Sequence, residues 1–224
     1  VLDDRFLLPE ELFQVLCARV SSFYGDDSAL AQRLYDYMSR LWFMPSTPIL
    51  SNGGTQRGLP ISCFLNEAED SLDGIVDLWN ENVWLAARGG GIGSYWGNLR
   101  SIGEKVSANG KTSGIIPFIR VMDSLTLAIS QGSLRRGSAA VYISIDHPEI
   151  EEFIEIRRPT GGDPNRKALN LHHGVVITDA LMRAVENNEE WALVSPKDKT
   201  IVRRLQARAL WIRLLTSRVE PGEP

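Results

Sequence analysis

Cysteine is scarce: only Cys17 and Cys63 occur in 224 residues. That excludes a disulfide framework, and without a CxxC pair or a Cys/His cluster it offers no structural zinc site. Any redox role therefore rests on one thiol at a time. Long hydrophobic runs are missing as well. No stretch of about 18 apolar residues is present to span a bilayer, and the opening Val1-Leu2-Asp3-Asp4-Arg5 has neither the basic nor the apolar segment of a signal peptide. There is no basic block either. The 24 Lys and Arg are dispersed among 28 Asp and Glu, for a formal net charge of −4, which argues against nucleic acid as a partner. These absences predict a soluble, cytoplasmic protein with no membrane anchor and no metal site of its own. An initiating Met is missing too, and the chain stops at Glu220-Pro221-Gly222-Glu223-Pro224 straight after an apolar helix-like stretch. Both ends read as cuts in a longer protein.

Hydrophobic residues make up 43% and charged residues 23%, the balance of a globular chain that can bury a core in one or two domains. Over residues 9–43, Leu12, Val15, Leu16 and Val20, then Leu30, Leu34, Tyr37, Met38 and Leu41 recur at helical spacing. A helical pair is expected there, turning at Gly25-Asp26-Asp27-Ser28 with Ser28 as the cap of the second helix. Residues 44–58, rich in Pro, Gly and hydroxyls, read as an ordered loop leading into a strand over 59–66. Asp70 or Ser71 caps the next helix, whose stripe is Leu72, Ile75, Leu78, Trp79 and Val83. Glycine-bearing segments at 88–93, 101–114 and 131–138 read as loops. Between and beyond them the pattern predicts a helix over 117–129, a strand over 139–145 and a short helix over 149–156. A strand over 169–177, a helix over 179–186 and a last helix over 202–219 follow. Strands separated by helices at this spacing argue for an α/β domain with a substantially parallel sheet.

The three glycine-bearing loops also carry hydroxyl or arginine side chains beside strand or helix ends, where backbone amides can bind phosphate oxygens. A nucleotide ligand is the economical hypothesis, although neither a GxxxxGK[ST] loop nor a full GxGxxG is present. Cys63, mid-strand in Ile61-Ser62-Cys63-Phe64-Leu65, reads by itself as a buried small hydrophobe, and Cys17 fits that description still better. His172 and His173 are adjacent on a strand and point to opposite faces, so with His147 they read as structural histidines. Glu149, Glu151, Glu152 and Glu155 read as the solvated face of an amphipathic helix.

Taken in order, Met44-Pro-Ser-Thr-Pro-Ile-Leu, Ile61-Ser-Cys-Phe-Leu, Asp70-Ser-Leu-Asp, Gly90-Gly-Ile-Gly, Gly114-Ile-Ile-Pro-Phe, Gln131-Gly-Ser-Leu-Arg-Arg-Gly and His147-Pro-Glu-Ile resemble the large-subunit ribonucleotide reductases. The resemblance runs from about residue 40 to the end. It implies an enzyme that replaces the ribose 2′-hydroxyl of a ribonucleoside diphosphate with hydrogen by radical chemistry, on a ten-stranded α/β barrel made of two parallel halves. The expected organisation is an N-terminal helical segment over 1–45, then the first half-barrel with the effector helix and loops over 46–224.

The same resemblance assigns residues. Cys63 matches the first cysteine of a catalytic dithiol whose second member lies far downstream, and Thr47, Ser62 and Gly91 match positions that contact substrate phosphates. Asp70 would bind an effector's deoxyribose, with Ser71 and Leu72 at the same helix start, and Arg100 would bind its phosphates. Gln131 and Arg136 match the loop that relays effector identity to the active site, while Ser107 stands where the family has an arginine. The thiyl-radical cysteine and the second dithiol cysteine have no match here, so this polypeptide alone is expected to be inactive and, with its half-barrel edges bare, poorly soluble.

The implied partners are the downstream half of the large subunit, a second copy across the helix starting at Asp70, a small radical-generating subunit, a nucleotide substrate and a dNTP or ATP effector. No cofactor is expected on this chain. The radical source would act in trans from a dimetal small subunit, or alternatively from adenosylcobalamin. The competing reading is a stand-alone nucleotide-binding regulatory module without catalysis.

Overall fold

A computed structural model describes residues 6–106, 110–131 and 135–224, with side chains outside 130–136. Among the described residues two compact units emerge, one ending at Cys63 and one running from Phe64 to Pro224.

The first unit is helical: α1 (Phe13–Tyr24), α2 (Ser28–Ser39) and α3 (Thr47–Asn52). The expected pair is present, but Asp27 rather than Ser28 caps α2, accepting the Leu30 amide at 2.7 Å. The stretch read as a loop contains α3, opened by Pro48 in its first turn where a missing amide costs nothing. Leu50 of α3 joins Leu16, Cys17, Val20 and Met38 in one buried cluster, and Arg19 bonds both Glu11 (2.7 Å) and the Leu50 carbonyl (3.1 Å). Packing thus brings α3 into the core of this unit.

The second unit is α/β. Its elements are β1 (Cys63–Glu67), α4 (Leu72–Ala87), β2 (Gly91–Tyr95), α5 (Ile116–Ala128), β3 (Ser130–Gln131), β4 (Arg135–Arg136), β5 (Ser138–Ser144), α6 (Ile150–Ile154), a 3-10 turn (Pro164–Arg166), β6 (His172–Val176), α7 (Asp179–Glu186), β7 (Glu190–Val194), β8 (Ile201–Gln206) and α8 (Ala207–Val219). The main sheet has the order β1-β2-β5-β6. β2 pairs with β5 in parallel, Gly91 opposite Ser138 and Tyr95 opposite Tyr142, and β5 pairs with β6 in parallel, Ala140 opposite His172. This is the expected helical segment followed by a parallel-strand α/β region, and the sheet is not closed into a barrel.

β5 shows how pattern becomes packing. Ala139, Val141 and Ile143 are buried and alternate with less buried Ala140 and exposed Tyr142, so one face of the strand joins the core of Trp96, Ile119, Met122 and Phe153. Each such fully buried side chain contributes about 1.5–3 kcal/mol. Ile143→Ala should therefore lower stability by about 2–5 kcal/mol through the lost transfer energy and the cavity left behind. Urea unfolding of the chain checks it, and a loss below about 1 kcal/mol would contradict this packing.

Three expectations are corrected. The segment 88–93 is only partly a loop: Gly89, at φ 82°, ends α4, and Gly91–Gly93 begin β2. Glycine there serves close approach, since a Cβ on Gly93 would sit 2.8 Å from Leu65 Cδ2. The helix expected over 202–219 starts only at Ala207, because residues 190–206 form the antiparallel β7–β8 hairpin. Its turn is made by Asp198, whose Oδ1 accepts the Thr200 amide at 3.0 Å and hydroxyl at 2.6 Å. β8 is exposed at nearly every position, so no alternation marks it. Finally, Cys63 opens β1 instead of lying mid-strand, and it is exposed. The buried thiol is Cys17.

Candidate functional site

The helix start at Asp70 divides its labour between two side chains. Ser71 is the cap, its hydroxyl accepting the Gly74 amide at 2.9 Å. Asp70 is thereby released to face Arg100: its Oδ1 accepts the Arg100 backbone amide at 3.1 Å, and its two oxygens accept Nε at 3.0 and 2.9 Å. Arg100 Nη1 also donates to the Lys105 carbonyl at 2.7 Å. Donating these hydrogen bonds to Asp70 raises the guanidinium pKa above its ordinary value, so Arg100 is a fixed cation.

Around this pair lies a cleft of about 520 Å³. Asp70, Ser71, Leu72 and Arg100 line it together with Lys111, Thr112, Ser113 and Gly114. Ile75, Leu99 and Phe118 supply apolar surface. Two cations with loop hydroxyls suit phosphates, a carboxylate suits a sugar hydroxyl, and the apolar patch suits a base. Four residues predicted from the sequence thus meet in one cleft. Lys111 was not singled out there; its only signal was a lysine within a glycine- and hydroxyl-bearing loop.

The remaining predicted residues fall on separate elements. Thr47 is exposed in the first turn of α3, Ser62 is half-buried, and Cys63 is exposed, all in the first unit. Gly91 opens β2 in the second. Gln131 and Arg136 lie on β3 and β4, where the backbone pairs Ser130 with Arg136 and Gln131 with Arg135. Ser107 lies outside the described residues.

Two histidines are structural, as expected. His147 is buried, with Nε2 3.0 Å from the Leu99 carbonyl and Nδ1 accepting the Glu149 amide at 3.1 Å. His173 is buried with Nε2 3.2 Å from the Ile154 carbonyl. Burial lowers the pKa of both. His172 differs, for its side chain is exposed, and with His173 it shares one partner, Glu223. Among the described residues no three His, Cys, Asp or Glu side chains are grouped to hold a metal ion, and no helix is long and apolar enough to cross a membrane.

The glutamate cluster is not a solvated face. Glu151, Glu152 and Glu155 pair with Arg203, Arg166 and Arg213, and Glu149 is buried. Sequence periodicity could not see this, because the arginines come from segments far along the chain.

Comparison with known proteins agrees with the fold. The ribonucleotide reductase barrel domain matches residues 61–224, and the ribonucleotide reductase all-alpha domain matches residues 1–58. The chain belongs to the ribonucleotide reductase large-subunit family. Within it, the chain is 46% identical over 202 residues to a Frog virus 3 protein provisionally named a ribonucleoside-diphosphate reductase large subunit, covering 90% of this chain and 34% of that one. It is 40% identical to the ribonucleoside-diphosphate reductase large subunit of Invertebrate iridescent virus 6, covering 96% of this chain and 22% of that one. To the Arabidopsis thaliana large subunit it is 32% identical, covering 90% and 28%. The chain therefore spans about a third or less of the length of these reductases, and the junction between the two family domains falls close to the boundary between the two structural units.

Proposed function

We propose that this chain is the N-terminal part of a ribonucleoside-diphosphate reductase large subunit, supplying the effector cleft and one of the two redox thiols of a reaction completed by the downstream half-barrel. The observation that carries the reading is the convergence of Asp70, Ser71, Leu72 and Arg100, with Lys111, on one cleft of nucleotide-like chemistry. The ligand is a deoxynucleoside triphosphate or ATP, with phosphates toward Arg100 and Lys111 and the sugar toward Asp70.

Cys63 is the first member of the dithiol, and its exposure at the start of β1 leaves the sulfur accessible. Thr47, Ser62 and Gly91 contact the substrate's phosphates, and Gln131 and Arg136 relay effector identity. The radical comes in trans, from a dimetal small subunit. Exposed Leu72, Val76 and Trp84 on α4 suit a homodimer across that helix, and the assembly works in the cytoplasm.

Mixing the chain with a separately folded polypeptide carrying the downstream half, the radical subunit and an external dithiol should yield reduction of ribonucleoside diphosphates. The chain alone should give none. If both halves fold and bind each other but no deoxynucleotide forms, the reading is wrong.

A further inference from the structure

The loop that walls the cleft begins and ends on one buried side chain. Oε2 of Glu149 accepts the amide of Ile102 at 3.2 Å and that of Ile115 at 3.0 Å. Every residue the loop gives to the cleft, Val106 and Lys111 to Gly114, lies between those two amides. Gly114, at φ 85°, leaves no space between loop and carboxylate: a Cβ there would run into Glu149. Glu149 is 4% exposed and does not itself line the cleft. A second tether, Glu104, holds the start of the loop, accepting from the Ser101 amide at 2.9 Å and from the Ser195 hydroxyl at 3.1 Å.

We infer that Glu149 is a positioning residue for the nucleotide cleft: by fastening the amides of Ile102 and Ile115 it fixes where Lys111, Thr112 and Ser113 stand in the cleft they share with Asp70 and Arg100. This rests on the cleft being the nucleotide site proposed above.

The charges facing Glu149 come from three elements. Arg166 of the 3-10 turn lies 3.4 Å from Oε1, Glu152 belongs to α6, and neutral His147 sits beneath the Glu149 amide, with Asp146 and Glu104 acting on that imidazole. Burial pushes the Glu149 carboxyl up to about 7, against the opposing pull of the two amides and Arg166. A carboxyl with a raised folded-state pKa favours the fold below its unfolded value near 4.5, and that contribution is lost as pH rises through about 7. A glutamine oxygen could take the same two amides, so Glu149→Gln removes the charge and keeps the acceptor. The ionised form holds the loop ends more tightly because charge-assisted hydrogen bonds are about twice as strong as neutral ones.

The test is titration of dTTP into the full chain at pH 6 and pH 8, for wild type, Glu149→Gln and Glu149→Ala, together with amide hydrogen exchange of the 102–115 loop. The Ala variant should bind about tenfold more weakly at pH 8 and exchange the Ile102 and Ile115 amides faster. The Gln variant, which keeps shape and acceptor and carries the test should Ala unfold, should match wild type at pH 6 and bind about fivefold more weakly at pH 8. The ratio of the two proteins cancels titration of the nucleotide's own phosphate. Equal affinities at pH 8, a ratio independent of pH, or loop exchange unchanged in a folded Ala variant overturns the role of Glu149 and leaves the cleft reading standing. A wild-type chain that binds no dTTP overturns the cleft reading, and this inference with it.

Discussion

Cys63→Ser is expected to abolish turnover of the assembled reductase, by roughly a thousandfold or more, while leaving the fold intact. Replacing the 2′-hydroxyl of a ribose with hydrogen consumes two electrons. In the proposed reaction they come from a dithiol: two S–H bonds break, one S–S bond forms, and water leaves with the displaced oxygen. A serine hydroxyl cannot enter that disulfide, so the electrons are missing and no second thiol can substitute. Cys17 cannot stand in, being fully buried in the helical cluster, where burial also raises its pKa away from the reactive thiolate. Because Cys63 is exposed, removing its sulfur should change stability by no more than about 0.5 kcal/mol. Turnover with an external dithiol and thermal unfolding, measured on the same preparation, separate the two effects. Full turnover by the serine variant would remove Cys63 from the chemistry.

Arg100→Ala should weaken binding of a deoxynucleoside triphosphate by about a hundredfold, roughly 2.7 kcal/mol. Three contributions add. The cation facing the phosphates is lost, and Arg100→Lys should recover only part of the affinity, because an ammonium restores the charge but cannot bind the Asp70 carboxylate and the Lys105 carbonyl at once as the guanidinium does. The Asp70 carboxylate, now held by Arg100 at 2.8 Å, is left unpaired beside incoming phosphates and repels them. The contact from Nη1 to the Lys105 carbonyl also disappears, loosening the loop that carries Lys111. Titration calorimetry at low and high salt checks this, since a loss that is mostly electrostatic shrinks as salt screens the cleft. Unchanged affinity in a folded variant would exclude the cleft as the effector site.

Much of this was legible along the chain because its cause is local. The α1–α2 pair, α5 and α7 follow from apolar spacing at 3.6 residues and from punctuation by Pro, Gly, Asp and Thr, whose effects reach only a few residues. Ser71 as a cap is of the same kind. The β7–β8 hairpin escaped because β8 is exposed on both faces, with Arg203 held by Glu151. A strand whose polar residues are satisfied by a distant helix has no alternation to read. Glu149 escaped for the same reason: in sequence it is one glutamate among four near a helix start, and its partners Ile102, Ile115 and Arg166 are brought to it only by the fold.

The sequence by itself determined the family, the α/β class with most of its helices, and the identity of Cys63, Asp70 and Arg100 as candidates, because ordered motifs and hydrophobic periods are properties of the chain. Only the tertiary structure decided that Cys63 is exposed while Cys17 is not, that Asp70 is free to face Arg100 because Ser71 takes the cap, and that Lys111 completes their cleft. Burial and hydrogen bonding between segments far apart in sequence depend on how the elements pack, and no local pattern encodes them.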